Sequence, residues 1–207
     1  GYLHTLLDGA IHDDRVNEKY LKRSAQNLER LNSIVEDLDI ISQIEGQQMD
    51  MEFQRFDIHK LAVEVLDDLE LKAKNKAIKL RIKEGCNRPY FVEADRDRIR
   101  QVLDNLVNNA VKYGNPNGYV QIGFYDMDIN LLIEVSDNGI GIDNQHLNRL
   151  FERFYRLDKA RSREEGGTGL GLSIVKHIVE AHNQTINVRS SKMVGSTFGF
   201  TLEKSKE

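Results

Sequence analysis

Residues 14–45, DRVNEKYLKRSAQNLERLNSIVEDLDIISQIE, contain neither Gly nor Pro and place apolar side chains at Leu28, Leu31, Val35 and Leu38. That alternation of three- and four-residue steps reaches back to Leu21 and is widened by Ile34 and Ile41, so the stretch reads as one long amphipathic helix with a bundle-type seam. The leading YLHTLLDGAI reads as the end of an earlier helix and DGAIHDD as the bend between them, the lower part of a helical hairpin. An isolated hairpin leaves its seam wet. Pairing with a second copy through residues 1–46 would bury it in a four-helix bundle; packing on the chain's own next domain is the alternative.

Beyond Gly46, which ends the helical pattern, strand and helix signals alternate irregularly. QQMDMEFQRFDI alternates like a strand, and DIHKLAVEVLDDLELKAKNK reads as a helix that starts at Asp57. IKLRIKE and PYFVEA read as strands, and DRDRIRQVLDNLVNNAVKYG as a helix capped by Asp95 and ended by Gly114. GYVQIGFYD and NLLIEVSD form a hairpin pair; a short helix from Asp143, a charged glycine-rich loop, the helix LSIVKHIVEAHN and the pair QTINVRSS and STFGFTLE follow. The order argues for one mixed sheet covered on one face by helices.

Composition narrows the function classes. The formal net charge of −4 gives no general basic field to attract nucleic acid, so local basic clusters must be judged singly. The single cysteine, Cys86, rules out an intrachain disulfide framework and suits a reducing compartment. No apolar run approaches the roughly 20 residues of a membrane span. The opening GYLHTLLDGA lacks an initiator Met and reads as part of something longer.

Three stretches carry chemistry. In the helix capped by Asp95, Asn105, Asn109 and Lys112 share one face, while Ile99, Val102, Leu103, Leu106, Val107 and Ala110 form the buried stripe. A carboxamide oxygen can complete the shell of Mg²⁺, whose other ligands are water and nucleotide phosphate, and a nearby lysine offsets phosphate charge. Three asparagines, Asn105, Asn108 and Asn109, run against helix propensity, although alone they also fit a wet polar face. Next, VSDNGIGIDN follows an apolar strand: Asp137 can accept from an exocyclic amine, and Gly139 and Gly141 lack the side chains that would block a flat ring, unless the stretch is only a strand-end turn. Last, EEGGTGLGLS brings Gly166, Gly167, Gly169 and Gly171 to a helix start, where backbone N–H groups can cradle phosphate. Arg156, Lys159, Arg161 and Arg163 lie just before it and suit a lid over a triphosphate, or a solvated surface.

Taken in order, NLVNNAVKY, DNGIGI, FERFYR, GGTGLGLS and GSTFGFTL resemble the N, first glycine, F, second glycine and third glycine boxes of sensor histidine kinases. The resemblance covers the whole chain and implies an α+β fold: a two-layer α/β sandwich of the GHKL (Bergerat) type, preceded by a truncated helical hairpin. It divides the chain into a partial dimerisation and phosphotransfer hairpin (1–46), a linker strand (47–56) and a catalytic ATP-binding domain (57–207). It implies that Asn109 holds Mg²⁺ with Asn105 beside it, that Lys112 meets phosphate and that Tyr113 lies near the adenine. Asp137 would read the adenine amine, with Gly139, Gly141 and Ile142 lining the base pocket and Thr197 closing its floor. Gly167, Thr168, Gly169, Leu170 and Gly171 would wrap the phosphates, with Arg156 and Lys159 as lid cations, while Phe151 and Phe154 would anchor the lid by packing. The implied partners are a second copy and a response-regulator receiver domain, with no nucleic acid. The implied setting is the cytoplasm, within a membrane-anchored parent that this portion does not itself tether.

Two departures refine the resemblance. Related chaperone, gyrase and serine-kinase branches carry a general-base Glu four residues before the metal Asn; here that position is Asn105, an amide that cannot take a proton at neutral pH. Transfer to an imidazole, nucleophilic when neutral, depends less on such a base. The family's phosphoacceptor box is also absent: His4 is followed by Thr5 and Leu6, and His12 by Asp13 with no nearby proline. The acceptor is therefore expected upstream of residue 1, and this chain is expected to bind ATP without phosphorylating itself. A nucleotide-binding regulatory module and a chaperone- or repair-type ATPase are the competing readings.

Overall fold

Asp57 and Asp95 each end a strand and cap the helix that follows. In the computed structural model, which describes residues 1–45, 50–157 and 168–205, β1 (Phe53–Asp57) and β3 (Phe91–Asp95) pair antiparallel, with Phe53 opposite Asp95 and Asp57 opposite Phe91. The Asp57 carboxylate accepts the N–H of His59 in α3 (Ile58–Lys74) at 3.0 Å and that of Tyr90 at 3.1 Å. The Asp95 carboxylate accepts from Asp97 and Arg98 in α4 (Arg96–Tyr113), at 3.1 and 3.0 Å, and from Glu52 at 3.1 Å. Each carboxylate satisfies N–H groups of its helix start and one from beside the opposite strand, which ties the two caps together. The pair forms a separate two-stranded sheet where one mixed sheet was expected, and it places Phe53–Phe56, read as the end of a linker, in the same unit as α3 and α4.

The larger sheet has the order β2 (Lys79–Ile82), β4 (Tyr119–Met127), β5 (Asn130–Asp137), β7 (Gly195–Glu203), β6 (Ile186–Ser191). β2 runs parallel to β4 and the other neighbours are antiparallel. Every second residue is buried: Val120, Ile122 and Phe124, then Leu131, Ile133 and Val135, then Phe198, Phe200 and Leu202. Helices α3, α4 and α6 (Gly171–Ala181), the last preceded in the chain by the single-turn α5 (Asn144–Leu147), cover that face with Leu61 and Val65, with Ile99, Val102, Leu103 and Leu106, and with Ile174, Val175 and Ile178. Each large apolar side chain so buried stabilises the fold by about 2 kcal/mol. This is the expected two-layer α+β sandwich. Its helical layer is fastened to β3 by His182, whose Nε2 accepts the Asp95 N–H at 3.0 Å while Nδ1 donates to the Ile178 carbonyl at 2.7 Å.

The described residues of the other unit are Gly1–Glu45 and Thr168. Here α1 (Tyr2–Leu7), a 3₁₀ turn at Ala10–His12 and α2 (Asn17–Glu45) make the hairpin read from the sequence. The Tyr2 ring stacks on Tyr20 with centroids 5.7 Å apart, and Arg23 donates to the Tyr2 hydroxyl at 3.2 Å, pinning α1 to α2. Along the seam, Leu28, Leu31 and Val35 are 60, 61 and 62% exposed. Gly46, the expected helix stop, lies outside the described residues. Among those described, no helix is long and apolar enough to cross a membrane.

Candidate functional site

Burial of the apolar stripe of α4 turns Asn105, Asn109 and Lys112 toward a common edge, as their spacing predicts. Asn105 Nδ2 donates to the Gln101 carbonyl one turn back, at 3.0 Å. Its Oδ1 faces Gly171, where an added methyl would lie 2.5 Å away, so the missing side chain lets the first turn of α6 reach α4. Asn109, one turn further on, is half-exposed and its side chain makes no hydrogen bond among the described residues. Lys112 Nζ lies 5.2 Å from the Tyr113 ring centroid, and Lys76 Nζ donates to the Lys112 and Val111 carbonyls at 2.5 and 3.3 Å, offsetting the negative helix end. Leu170 is buried and anchors α6, whose N-terminus has no side-chain cap. The wrapping role expected of Leu170 therefore falls to its backbone alone. Open N–H groups and the positive end of α6 thus lie beside the asparagine face, an arrangement that attracts an anion.

Asp137 closes β5 and is half-buried. Burial raises its carboxyl above the usual range, while N–H donation from Gly139 (2.7 Å) and Ser196 works against that rise. The glycines behind it are closely packed by the protein itself. A methyl on Gly139 would sit 2.5 Å from the Tyr113 carbonyl; Gly141 has φ +63°, and a methyl there would overlap the Ser191 carbonyl. The Ile140 N–H donates to the Tyr113 carbonyl at 3.3 Å and the Met193 N–H to that of Ile140 at 2.7 Å. Asn138 is a further anchor: its Oδ1 accepts the Tyr119 N–H at 2.8 Å and its carbonyl accepts Asn115 Nδ2 at 3.0 Å. The loop is fixed in place from both sides, and Asp137 with it.

On the lid side, the Phe154 N–H donates to the Gly169 carbonyl at 2.9 Å, and Gly169, at φ +79°, leaves room for the Phe154 backbone 3.0 Å from where its Cβ would be. Phe154 is 63% exposed, so its backbone, not ring burial, makes the anchor. Arg156 passes beside Gly169, and its Nη2 is shielded from solvent with no hydrogen-bond partner among the described residues. An orphaned guanidinium nitrogen is costly unless an anion meets it, which suits phosphate. The Thr168 hydroxyl, expected at the phosphates, donates to the Asp37 carboxylate on α2 at 2.8 Å. Lys159, Arg161, Arg163, Gly166 and Gly167 lie outside the described residues.

Residues 94–206 match the family described as histidine kinase-, DNA gyrase B- and HSP90-like ATPase. The chain belongs to that family. Membership implies ATP as the nucleotide, and within the family the chain is similar to sensor histidine kinases. It is 35% identical, over its whole length, to the sensor histidine kinase WalK of Bacillus subtilis (strain 168), and spans 34% of that protein. The catalytic domain of histidine kinase ThkA is 34% identical with a TM-score of 0.65, over 74% of this chain and 97% of that one. A structure of histidine kinase ThkA in complex with response regulator protein TrrA aligns at 27% identity and TM-score 0.74, over 99% of this chain and 57% of that one.

For a histidine kinase-like ATPase, one expected site residue faces the wrong way. Along β7, Ser196, Phe198, Phe200 and Leu202 are buried, and Thr197 alternates to the opposite face, where its Oγ1 lies 3.0 Å from Ser136 Oγ. Thr197 cannot close a floor beneath Asp137. Ser196, paired opposite Asp137, lies on that face instead, with Ser190 Oγ 3.0 Å from its hydroxyl. Ser190 donates to the Gly195 carbonyl and receives the Ile142 N–H, both at 2.8 Å, which is how Ile142 is held. Neither serine was singled out from the sequence. Counting in twos back from Phe198, and forward from Ile186 and Val188, would have found both.

Proposed function

We propose that this chain is the catalytic core of a sensor histidine kinase: it binds Mg·ATP and transfers the γ-phosphoryl to a histidine of the dimerisation domain, for relay to an aspartate of a response-regulator receiver domain. The observation that carries the reading is the pairing of Asn105 with Asn109. Asn105 is an amide held by the Gln101 carbonyl and packed on Gly171, whereas Asn109 keeps its carboxamide open to a ligand. Asn109 Oδ1 is then the Mg²⁺ ligand, and Asn105 positions α6. Mg·ATP supplies the reactive phosphoryl group and the charge that balances it. The chain's own residues bind and orient: Asp137 accepts from the adenine amine, Ser196 and Ser190 wall the base site, and Lys112, Arg156 and the open N–H groups of α6 meet phosphate oxygens. Because no carboxylate stands at position 105, water and hydroxyl acceptors are poorly served and a neutral imidazole is favoured.

Residues 1–46 serve as the dimerising hairpin, since the exposed Leu28, Leu31 and Val35 seam needs a cover and a second copy presents the same stripe. The ThkA–TrrA complex supports a receiver domain as the second partner. The similarity to sensor kinases supports a cytoplasmic setting within a longer, membrane-anchored protein.

The test uses the whole chain with a separate fragment bearing an acceptor histidine, labelled ATP and Mg²⁺. Acid-labile label on the fragment's histidine is expected, together with loss of Mg·ATP binding by calorimetry in Asn109→Ala. ATP binding without labelled histidine would favour a regulatory nucleotide-binding module. Steady-state hydrolysis without any acceptor would revive the chaperone-type ATPase.

A further inference from the structure

The outer edge of the large sheet carries a feature that nucleotide binding does not use. β2 pairs only with β4, and Lys79 and Lys83 send their N–H groups to the Gly118 and Ile122 carbonyls at 3.0 and 2.8 Å. By alternation, the N–H and carbonyl groups of Leu80 and Ile82 point away from the sheet, toward an edge that no described strand occupies. On the face away from the helices, the same strand and the residue that follows it present a row of cations two residues apart: Lys79, Arg81 and Lys83. None is in an ion pair among the described residues, although the chain as a whole is acidic. Two are held in place from β4. The Arg81 guanidinium lies 4.9 Å over the Tyr119 ring and donates to Gln121 Oε1 at 3.1 Å, and Lys83 Nζ donates to the Tyr125 hydroxyl at 2.6 Å. At the end of the row, an open groove of about 660 Å³ is lined by Arg81, Ile82, Lys83, Gly85, Asn87 and Gln121, with one carboxylate, Glu84, beside the two cations.

We propose that this edge is a docking site for an extended acidic segment of a partner protein, which adds as a sixth strand beside β2 and sets carboxylates against Lys79, Arg81 and Lys83. The argument rests on charge complementarity and period. A strand places alternate side chains on one face at the same two-residue repeat as the cation row, so a segment with acidic residues at every second position meets all three at once. Charged side chains on an edge strand also guard against aggregation. A guard needs only to be charged and solvated, however, whereas Arg81 and Lys83 are braced by β4. At the opposite edge, Arg189 of β6 is already paired with Glu134, at 2.5 Å, so that edge offers no comparable row.

The test titrates ¹⁵N-labelled whole chain with a short peptide of alternating glutamate and valine, and compares it with the same peptide carrying a central proline, with an alternating lysine–valine peptide and with oligo-dT. Saturable shifts at the Leu80 and Ile82 amides, with slowed hydrogen exchange there, are expected for the glutamate peptide alone. The triple variant Lys79→Gln, Arg81→Gln, Lys83→Gln is expected to lose about tenfold or more in affinity, three exposed charge contacts being removed. Leu80→Pro removes an outward N–H without touching the ladder to β4 and is expected to abolish the exchange protection. Equal binding of the proline peptide, unchanged affinity in the triple variant, or preferential binding of oligo-dT would each overturn the proposal.

Discussion

Asn105 and Gly171 are fitted to each other: the amide oxygen of one occupies the place where a side chain of the other would be. Gly171→Ala sets a gain of about 1 kcal/mol in helix propensity against a collision at the tip of a side chain that can swing away. Stability is therefore expected to stay within about 1 kcal/mol of the original, while Mg·ATP affinity falls because the displaced amide intrudes on the site. In an Asn105→Ala background the same substitution is expected to stabilise by about 1 kcal/mol. Denaturant melts of the four proteins measure this coupling, and additive effects would show that the two residues do not meet.

Gly141→Ala separates packing from ring clearance. At φ +63°, with the Ser191 carbonyl in the way, a methyl cannot be accommodated without moving the loop. A loss of about 2 kcal/mol or more is expected in urea melts. If the glycine served only to admit a base, stability would be unchanged and ATP affinity alone would fall.

Asp137, the proposed reader of the adenine amine, comes at a cost to the fold. Burial is the leading cause of its raised carboxyl value, so the folded state holds the proton more tightly than the unfolded chain does. Its contribution to stability is present in full below the ordinary aspartate value and is lost as pH rises through the raised one. Asp137→Asn is expected to raise the melting temperature slightly at neutral pH and to weaken ATP binding and its preference over GTP. A thermal-shift series across pH, with and without each nucleotide, checks both; a lower melting temperature in the free protein would contradict the assignment.

His182 works in the other direction. Its neutral ring accepts the Asp95 N–H, and burial, the largest cause, lowers its value. The stability it contributes is therefore complete above about pH 6.5, the ordinary histidine value, and is lost as pH falls toward and through the lowered one. His182→Gln should flatten that acid-side decline in a series of urea melts between pH 7 and pH 5, to within the scatter about a constant slope. A decline of the same steepness in the variant would assign it to other groups.

Much of this protein is legible in one dimension. The asparagine face of α4 follows from the 3.6-residue period, and the helix starts at Asp57 and Asp95 follow from capping chemistry, because both are decided within a few residues of the chain. The two β hairpins, β4–β5 and β6–β7, were likewise local in origin. The separate β1–β3 sheet was not, since it depends on which distant strand supplies the partner for each cap: Tyr90 for Asp57, and Glu52 for Asp95.

The sequence by itself determined which residues are proposed for a nucleotide: Asn109, Asp137 and the glycine-rich approach to α6. Only the tertiary structure decided what packs against the glycines and which hydroxyl shares a sheet face with Asp137. Gly139, Gly141 and Gly171 are small because the Tyr113 carbonyl, the Ser191 carbonyl and the Asn105 amide, all distant in sequence, press against them. Ser196 replaces Thr197 because the register of β7 against β5 sets which side of the sheet each faces. Composition and spacing encode chemistry along the chain; close approach between segments, and the face a strand turns inward, exist only once the layers have packed.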